Sequence, residues 1–323
     1  MYDLVEFRHL KYFLTVAREG NFTRAAERLH VSQPSLSTQI KQFEDSIPAQ
    51  LFVREKTGVL LTPAGRALLP FAEQALHLRD QAFDAVGAIH SGTAPPLDLG
   101  FSLFIDHALV ERSLVCYQRL FPGSAFRPTT QCTAQLIAWL NEGKINAALV
   151  TAPVDARDLV VQTVARERLL VCMRKDDPLA SVDAISPRQV SDKLRISFDP
   201  SQHPELFAYL DSTLSHVGIT LQAKHPCTAP SDMQWMVKQG LGYALVRESR
   251  TLDVDLIARP VVGVELIAES VFVYRNNSQS SHLAVLAYEL KNITHNYLTE
   301  TALKIKPKPP VSAGQSKQMK LLG

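Results

Sequence analysis

Apolar residues recur every three or four positions through the first sixty residues, a spacing that predicts short amphipathic helices. The first helix has its apolar face at Leu10, Phe13, Leu14 and Ala17. Gly20 ends that helix, and Asn21 offers an N-cap for a second helix over Phe22–Leu29. Ser32 caps a third helix, and Pro34 suits its first turn. The third helix is predicted to bury Leu36, Ile40 and Phe43.

The joint between the second and third helices points to a DNA-binding motif. Two short helices separated by a turn of about three or four residues are typical of a helix-turn-helix, whose second helix enters the major groove. The following stretch, residues 54–62, predicts a small β wing that turns at Gly58. Residues 1–62 are therefore predicted to form an all-α winged helix-turn-helix.

A long helix is predicted from Pro63 to about His90. Its apolar positions alternate between spacings of three and four, at Leu68, Phe71, Ala75, Leu78, Ala82, Ala85 and Ile89. Such a seam, sustained for about three heptads, is the pattern of a coiled-coil dimer, although a helix packed on its own domain would carry a similar stripe. Pro70 predicts a local kink. Residues 91–96 have the composition of a linker.

From Leu97 onward, short apolar runs alternate with helical patterns, which predicts a two-lobed α/β body with largely parallel sheets. The predicted strands are Leu97–Phe101, Ala147–Val150, Leu169–Met173, Arg195–Phe198, Tyr243–Val246 and Ile267–Tyr274. The predicted helices lie near Asp106–Leu120, Ala134–Glu142, Pro204–Val217, Ser231–Gln239 and His282–Tyr297. The last stretch, residues 303–323, is rich in lysine and proline and is predicted to be a disordered tail.

Composition supports a globular protein with a substantial core, because 46% of the 323 residues are hydrophobic and 20% are charged. No apolar run reaches bilayer length, and the first ten residues lack the core of a signal peptide. The four cysteines are widely separated and include no C-x-x-C pair. We therefore expect a cytoplasmic protein, with neither membrane insertion nor a disulfide scaffold.

The net charge of +2 hides an uneven distribution along the chain. Residues 1–66 carry nine basic and seven acidic side chains, and residues 67–303 carry 20 basic and 25 acidic ones. Residues 304–323 carry five lysines and no acid. Basic ends around an acidic middle suit a polyanion-binding end joined to a body with another task.

The body contains no recognisable catalytic motif. There is no G-x-S-x-G, P-loop or H-E-x-x-H sequence, and the histidines are scattered, so we expect no enzyme activity, metal site or cofactor. Two lobes instead suggest an apolar cleft with a few polar groups for a small molecule. A second hypothesis is a small-molecule-binding protein or enzyme whose N-terminal helices serve only assembly.

The N-terminal residues resemble the winged helix-turn-helix of LysR-type transcriptional regulators. The resemblance rests on the runs Leu10–Ser37, Gln39–Glu44, Leu51–Arg54 and Leu61–Gly65. The body resembles the family more loosely, at residues 141–148, 177–180 and 239–242. The resemblance implies a DNA-binding domain at 1–62, a linker and dimerisation helix at 63–95, and a two-lobed effector domain, similar to a periplasmic binding protein, at 96–302. Its lobes would comprise about 96–164 with 266–302, and about 165–265.

The resemblance also implies which residues contact double-stranded DNA. The candidates on the helices are Thr23, Arg24, Ser32, Gln33, Pro34, Ser35, Ser37, Thr38 and Lys41. The candidates in the wing are Arg54, Lys56 and Thr57. Lysine and arginine would neutralise phosphates, whereas Gln33 could pair bidentately with adenine. Thr38 stands where the family often has an arginine, which would remove one phosphate contact.

For the effector, the resemblance implies a site at strand ends and helix starts facing the cleft. Its candidate residues are Ser102, Leu103, Phe104, Thr133, Thr151, Ser197 and Asp199. Helix N-termini at Phe104 and Thr133 would favour an anionic group on the effector. Phe104 could equally be a core residue. Further expected partners are a second copy of the chain, in a homodimer or homotetramer, and RNA polymerase.

Overall fold

The structure is a computed structural model that describes residues 5–47, 49–55, 58–277 and 280–304. These residues form two compact units. The first contains the chain up to Pro96 with Gln118–Ala125 and Arg275–Val285; the second contains Leu97–Tyr117, Phe126–Tyr274 and the residues from Leu286 onward. Within the described ranges, no helix combines the length and apolar character that a membrane span requires.

The first unit begins with the three predicted helices and the wing. Its elements are α1 (Phe7–Glu19), α2 (Phe22–Leu29), α3 (Gln33–Ser46), β1 (Phe52–Glu55), β2 (Gly58–Leu61) and α4 (Pro63–Ser91). The Asn21 side chain accepts hydrogen bonds from the backbone N–H groups of Thr23 and Arg24. Ser32 Oγ likewise accepts a bond from the N–H of the third residue of α3. Local capping chemistry therefore sets the helix starts where the sequence predicted them.

The core of this unit lies where the three short helices meet the wing. Its most deeply buried side chains include Phe13, Leu36, Ile40, Phe43 and Leu51. The ring of Phe13 stands edge-on to Phe43 and leans on Phe52, with centroids 5.4 Å from the latter. The Glu44 carboxylate accepts bonds of 2.7 and 3.1 Å from the N–H groups of Leu51 and Phe52. The end of α3 is thereby tied to the start of the wing.

Helix α4 is continuous over 29 residues and includes Pro70. Gly65 lets its first turn approach the core, since a Cβ there would stand 2.3 Å from the Leu51 carbonyl oxygen. Leu68 packs against that core and Ala85 is buried, so neither seam position is exposed as a dimer seam would require. The large apolar side chains that α4 exposes are Phe71, Leu78, Phe83, Val86 and Ile89. This set is called the α4 apolar face below.

The second unit is an α/β body. Its strands are β3 (Leu97–Phe101), β4 (Phe126–Thr130), β5 (Ala147–Ala152), β6 (Leu159–Arg174), β7 (Leu194–Phe198), β8 (His225–Cys227), β9 (Tyr243–Arg247), β10 (Leu256–Arg259) and β11 (Ile267–Arg275). Its helices are α5 (His107–Leu120), α6 (Thr133–Glu142), α7 (Pro187–Val190), α8 (Pro204–Ser215), α9 (Pro230–Lys238) and α10 (Ser281–Lys304). A short 3₁₀ turn covers Pro178–Ser181.

The strands are hydrogen-bonded in the order β4-β3-β5-β11-β6-β9-β7-β8, and β10 also pairs with β6. Strand β3 is parallel to β4 and β5, and β7 is parallel to β8 and β9. The pairs β11–β5, β6–β9 and β6–β10 are antiparallel. The sheet is therefore mixed rather than largely parallel. Two long strands, β6 and β11, lie between the parallel strands β3–β5 and the parallel strands β7–β9. The part of the body that contains β3–β5 is called the first lobe, and the part that contains β7–β9 is called the second lobe.

The sequence pattern missed several strands of this body. It predicted only Leu169–Met173, whereas β6 runs for 16 residues from Leu159. The first part of β6 mixes polar and apolar side chains, so no continuous apolar run marks it. Strands β4, β8 and β10 were not predicted, because β4 is largely exposed and β8 and β10 have only three and four residues.

The second lobe builds its core around α8. Leu206, Leu210 and Leu214 recur at helical spacing and are buried together with Val171 and Met173 of β6. Because Leu206 and Leu210 also border a cavity described below, the packing of this helix shapes one wall of that cavity.

Candidate functional site

The exposed side of α3 is a polar surface next to the wing. Leu36, Ile40 and Phe43 are buried on the opposite side of the helix, as the sequence predicted. The polar surface exposes Ser32, Pro34, Ser35, Thr38 and Lys41, and it half-exposes Gln33 and Ser37. Thr23 and Arg24 of α2 are also exposed, and so is Arg54 of the wing. The wing candidates Lys56 and Thr57 lie outside the described residues.

Hydrogen bonds within the protein already use several of these polar groups. The cap made by Asn21 engages the backbone N–H groups of Thr23 and Arg24, so these groups are not free to bind a phosphate. Only the two side chains remain available there. Thr38 donates its hydroxyl proton to the carbonyl oxygen of Pro34, at 2.9 Å. That hydroxyl can accept a further hydrogen bond but has no proton left to donate.

Arg54 connects the wing to α3. Its Nη2 donates a 2.8 Å hydrogen bond to Ser37 Oγ, and its guanidinium lies 4.8 Å from the centre of the Phe22 ring. A cation held over an aromatic ring keeps its charge while its orientation is restricted. Arg54 is therefore placed beside the polar surface of α3 instead of extending freely into solvent.

The second unit contains a cavity of about 60 Å³. Its walls are mainly apolar and include Leu169, Phe198, Leu206, Leu210 and Met233. Two of the residues predicted for an effector site, Phe104 and Thr151, also line it. Its polar lining residues are Thr151, Gln234, Arg247 and Arg250. Gln234 is bonded to the backbone of Thr251 and Asp253, and the other three residues are called the polar end of the cavity.

Arg247 is the central residue of the polar end. Its side chain is only 7% exposed, and its guanidinium donates to Thr151 Oγ1 at 2.7 Å and to the Phe104 carbonyl oxygen at 3.0 Å. A third, longer bond of 3.3 Å reaches the Glu167 carboxylate. Burial lowers the pKa of Arg247, and the charge of Glu167 opposes that shift. An arginine nevertheless stays protonated in proteins, so a positive charge is held inside the body.

The other predicted effector residues do not line this cavity. Ser102 is buried and its Oγ accepts a bond from Phe104 N; Leu103 is 40% exposed. Ser197 is also buried, donates to the Phe198 carbonyl oxygen, and borders a smaller neighbouring cavity. Asp199 accepts two bonds from Ser201, and these bonds lower the pKa of its carboxyl group.

Thr133 and Phe104 pack around a buried histidine that the sequence did not single out. Thr133 Oγ1 lies 2.9 Å from His203 Nδ1, and the Phe104 ring is edge-on to both His203 and Phe198. Thr133 opens α6 as predicted, whereas the helix after β3 begins at His107, so Phe104 is not at a helix N-terminus. Phe104 therefore contributes both to the cavity wall and to an aromatic cluster.

The cysteines do not form a thiol site. Cys172 and Cys227 are buried, and burial raises the pKa of each thiol to about 12, so neither is a thiolate at neutral pH. Cys116, Cys132, Cys172 and Cys227 are all free thiols. In the part of the chain that the structure describes, no group of three or more His, Cys, Asp or Glu side chains is placed to hold a metal ion.

Sequence reasoning missed Arg247, Arg250 and His203. The available signal was a basic residue directly after the apolar strand Tyr243–Val246, where the chain returns toward the cleft. A charged residue at the end of a buried strand is ordinarily exposed, and only the tertiary contacts of Arg247 distinguish it from such a residue.

Comparison with known proteins supports a division of the chain into two functional parts. Residues 7–66 match the model of the bacterial regulatory helix-turn-helix protein, lysR family. Residues 90–292 match the model of the LysR substrate binding domain.

Individual relatives cover most of the chain. It is 32% identical over 249 residues to the HTH-type transcriptional regulator BudR of Raoultella terrigena, which covers 76% of this chain and 86% of that protein. A hydrogen peroxide-bound cysteine-to-serine mutant of Corynebacterium glutamicum OxyR has a similar fold, with a TM-score of 0.57 at 22% identity over 95% of this chain and 98% of that one. Full-length CbnR in complex with its target DNA also has a similar fold, with a TM-score of 0.51 and 22% identity. The match covers 90% of this chain and 99% of the CbnR chain.

Proposed function

The chain belongs to the LysR family of bacterial transcriptional regulators, and from that premise we propose how its residues divide DNA binding, assembly and response to a ligand. It is a DNA-binding transcriptional regulator with a substrate-binding domain for an effector, and not an enzyme. The proposed organisation is a DNA-binding domain at 1–62, a linker and dimerisation helix at 63–95, an effector domain at 96–302 and a basic tail at 303–323.

DNA recognition is assigned to the polar surface of α3. The observation that carries this assignment is the exposed polar side of a helix whose other side is buried in the helix-turn-helix core. Gln33, at the start of α3, would read a base edge, while Ser35 and Ser37 would contact bases or phosphates. Arg24, Lys41, Arg54 and Lys56 would neutralise phosphates beside the groove. CbnR, solved with its target DNA, makes double-stranded DNA the natural partner.

Assembly is assigned to the α4 apolar face. Phe71, Leu78 and Phe83 are each about two-thirds exposed, and a helix that leaves this much apolar surface in water favours pairing with a second copy. The proposed state is a homodimer through α4 that associates further into a homotetramer through the α/β bodies. RNA polymerase is proposed as a further partner when the protein is bound near a promoter in the cytoplasm.

The effector site is assigned to the cavity of the second unit. Apolar walls with a small polar end have the character expected of a small-molecule site. The bonds of Arg247, the last residue of β9, reach Phe104 just after β3 and Thr151 near the end of β5. A ligand at the polar end would therefore alter contacts between the two lobes.

A gel-shift titration with the DNA upstream of the gene, at stated salt concentrations, tests the DNA-binding assignment. We expect a shift with the upstream fragment at protein concentrations at which a random fragment of equal length stays free. The variant Lys41→Ala should weaken binding to both fragments by a similar factor, because a phosphate contact carries no sequence information. Equal binding of the two fragments by the unmodified protein would contradict the assignment.

A further inference from the structure

The polar end of the cavity offers hydrogen-bond donors in excess of acceptors. Arg247 uses three of its five N–H groups in its bonds to Phe104, Thr151 and Glu167, which leaves one N–H on each terminal nitrogen. Thr151 Oγ1 accepts from Arg247 and keeps its own proton to donate. Among the described residues, none is a hydrogen-bond or ion-pair partner of the half-buried Arg250 side chain.

The charged side chains of the lining also favour a negatively charged ligand. Arg247 and Arg250 are both positive, and no acidic side chain is found among the described residues that line the cavity. Glu167 stands behind Arg247, outside the lining, and its 3.3 Å contact is longer than the distance of about 2.7–2.9 Å typical of a charge-assisted hydrogen bond. Asp106 also acts on the charge of Arg247, and it too is absent from the lining, so the acidic groups that offset the buried guanidinium stand beside the cavity and not in its wall.

The rest of the cavity restricts the size and polarity of a ligand bound there. Leu206, Leu210 and Met233 are apolar, so the body of the ligand must be apolar as well. The cavity volume of about 60 Å³ is less than half the roughly 150 Å³ of an engineered protein cavity that binds benzene. This space therefore matches a ligand with a short chain better than it matches an aromatic acid.

We infer, resting on the proposed effector-binding function, that the ligand is a short-chain monocarboxylate whose carboxylate is held by Arg247, Arg250 and Thr151. Its alkyl chain lies against the α8 and α9 residues of the second lobe. The bound carboxylate takes the free N–H groups of Arg247 and competes with Glu167 for that guanidinium. The ligand thereby places a negative charge on the cavity side of Arg247, where the described lining residues supply none.

Isothermal titration of the full-length protein, in the absence of DNA, tests this inference. The probes are acetate, propionate and butyrate, with propionamide, propylammonium and benzoate as comparisons. We expect the three acids to bind, with affinity rising as the chain lengthens because each added CH₂ is buried. Propionamide should bind about tenfold or more weakly than propionate, because it lacks the charge. Propylammonium and benzoate should give no measurable binding.

Substitutions locate the site. Arg247→Met should weaken propionate binding about tenfold or more, and Arg247→Lys should keep part of the affinity because it retains the charge. Arg247→Met leaves the Glu167 carboxylate without its ion-pair partner, which can destabilise the fold. The double variant Arg247→Met with Glu167→Gln removes both charges and is the variant to test if the single one does not fold. Arg168→Met is the matched control: Arg168 lies on β6 but pairs with Glu248 at the surface, so propionate binding should be unchanged.

The outcomes separate the inference from the proposed function. If no acid binds while the protein still shifts its upstream DNA, the inference is overturned and the regulator assignment stands. Equal binding of propionate and propionamide, or unchanged binding in the folded double variant, would also overturn it. If the DNA is not shifted, the regulator assignment fails, and the DNA-free titration still decides whether the cavity binds carboxylates.

Discussion

His203 and Thr133 are joined by a 2.9 Å hydrogen bond between the His203 Nδ1 and Thr133 Oγ1 atoms, and both side chains are at least 95% buried. Thr133 is the first residue of α6, and His203 directly precedes α8, so the bond connects the starts of two helices. Burial lowers the pKa of His203 to about 4, although the nearby Asp199 carboxylate acts in the opposite direction. The imidazole is therefore neutral at pH 7.

The lowered pKa of His203 predicts a loss of stability in mild acid. The unfolded imidazole binds its proton near pH 6.5 and the folded one only near pH 4, so between these values the unfolded state binds more protons. Stability should fall as the pH falls through this window, at a rate of up to about 1.4 kcal/mol per pH unit. Urea unfolding of the effector domain between pH 7.5 and 4.5, followed by fluorescence, measures the effect.

The variant His203→Asn should be less stable at pH 7.5, but its stability should depend less on pH between 6.5 and 4. The exposed His216 provides the control, and His216→Asn should keep the pH dependence of the unmodified protein. An unchanged pH dependence in His203→Asn would show that other groups cause the acid sensitivity.

Within the helix-turn-helix, Gln33 should contact a base and Arg24 should contact a phosphate. Gln33→Ala should cost about 1–3 kcal/mol at the operator and relax discrimination at one base pair, because its amide can pair with one base edge. Arg24→Ala should weaken binding to all sequences alike and reduce the salt slope by roughly one counterion. Affinities for single-base operator variants at two salt concentrations distinguish the two effects. A uniform loss for Gln33→Ala would contradict the docking proposed for α3.

Dimerisation should depend on the α4 apolar face. The double variant Leu78→Glu with Val86→Glu places like charges on side chains that are each 65% exposed, so the monomer should stay folded while the dimer weakens. Analytical ultracentrifugation should show smaller species than for the unmodified protein at equal concentration. Leu60→Glu, at an exposed position of the wing, is the control and should leave the sedimentation unchanged. Sedimentation of the double variant as unmodified protein would exclude this face as the interface.

The lysine-rich tail should add affinity for DNA without sequence preference. Residues 305–323, which lie outside the described part of the chain, contain four lysines and no acid. Deleting them should lower the salt slope of DNA binding, because fewer counterions are released, and should leave the ratio of operator to random-DNA affinity nearly unchanged. A fall in that ratio would mean that the tail contributes to recognition of the operator.

Local chemistry along the sequence determined the DNA-binding end of this protein. The caps at Asn21 and Ser32 and the apolar spacing of Leu36, Ile40 and Phe43 act over one or two helical turns, so the helices and their buried faces could be predicted from neighbouring residues alone. The same holds for the alternation that predicted an α/β body. The polar side of α3 followed from its buried side, because one helix face excludes the other.

Only the tertiary structure decided how those parts are used. Helix α4 exposes Phe83 and Val86, whereas the predicted seam residues Leu68 and Ala85 pack inward. Above all, the polar end of the cavity joins Thr151 to Arg247, which are separated by 96 residues. No local pattern records such a contact, because the free energy of burying a charged side chain depends on partners that the fold brings together from distant strands.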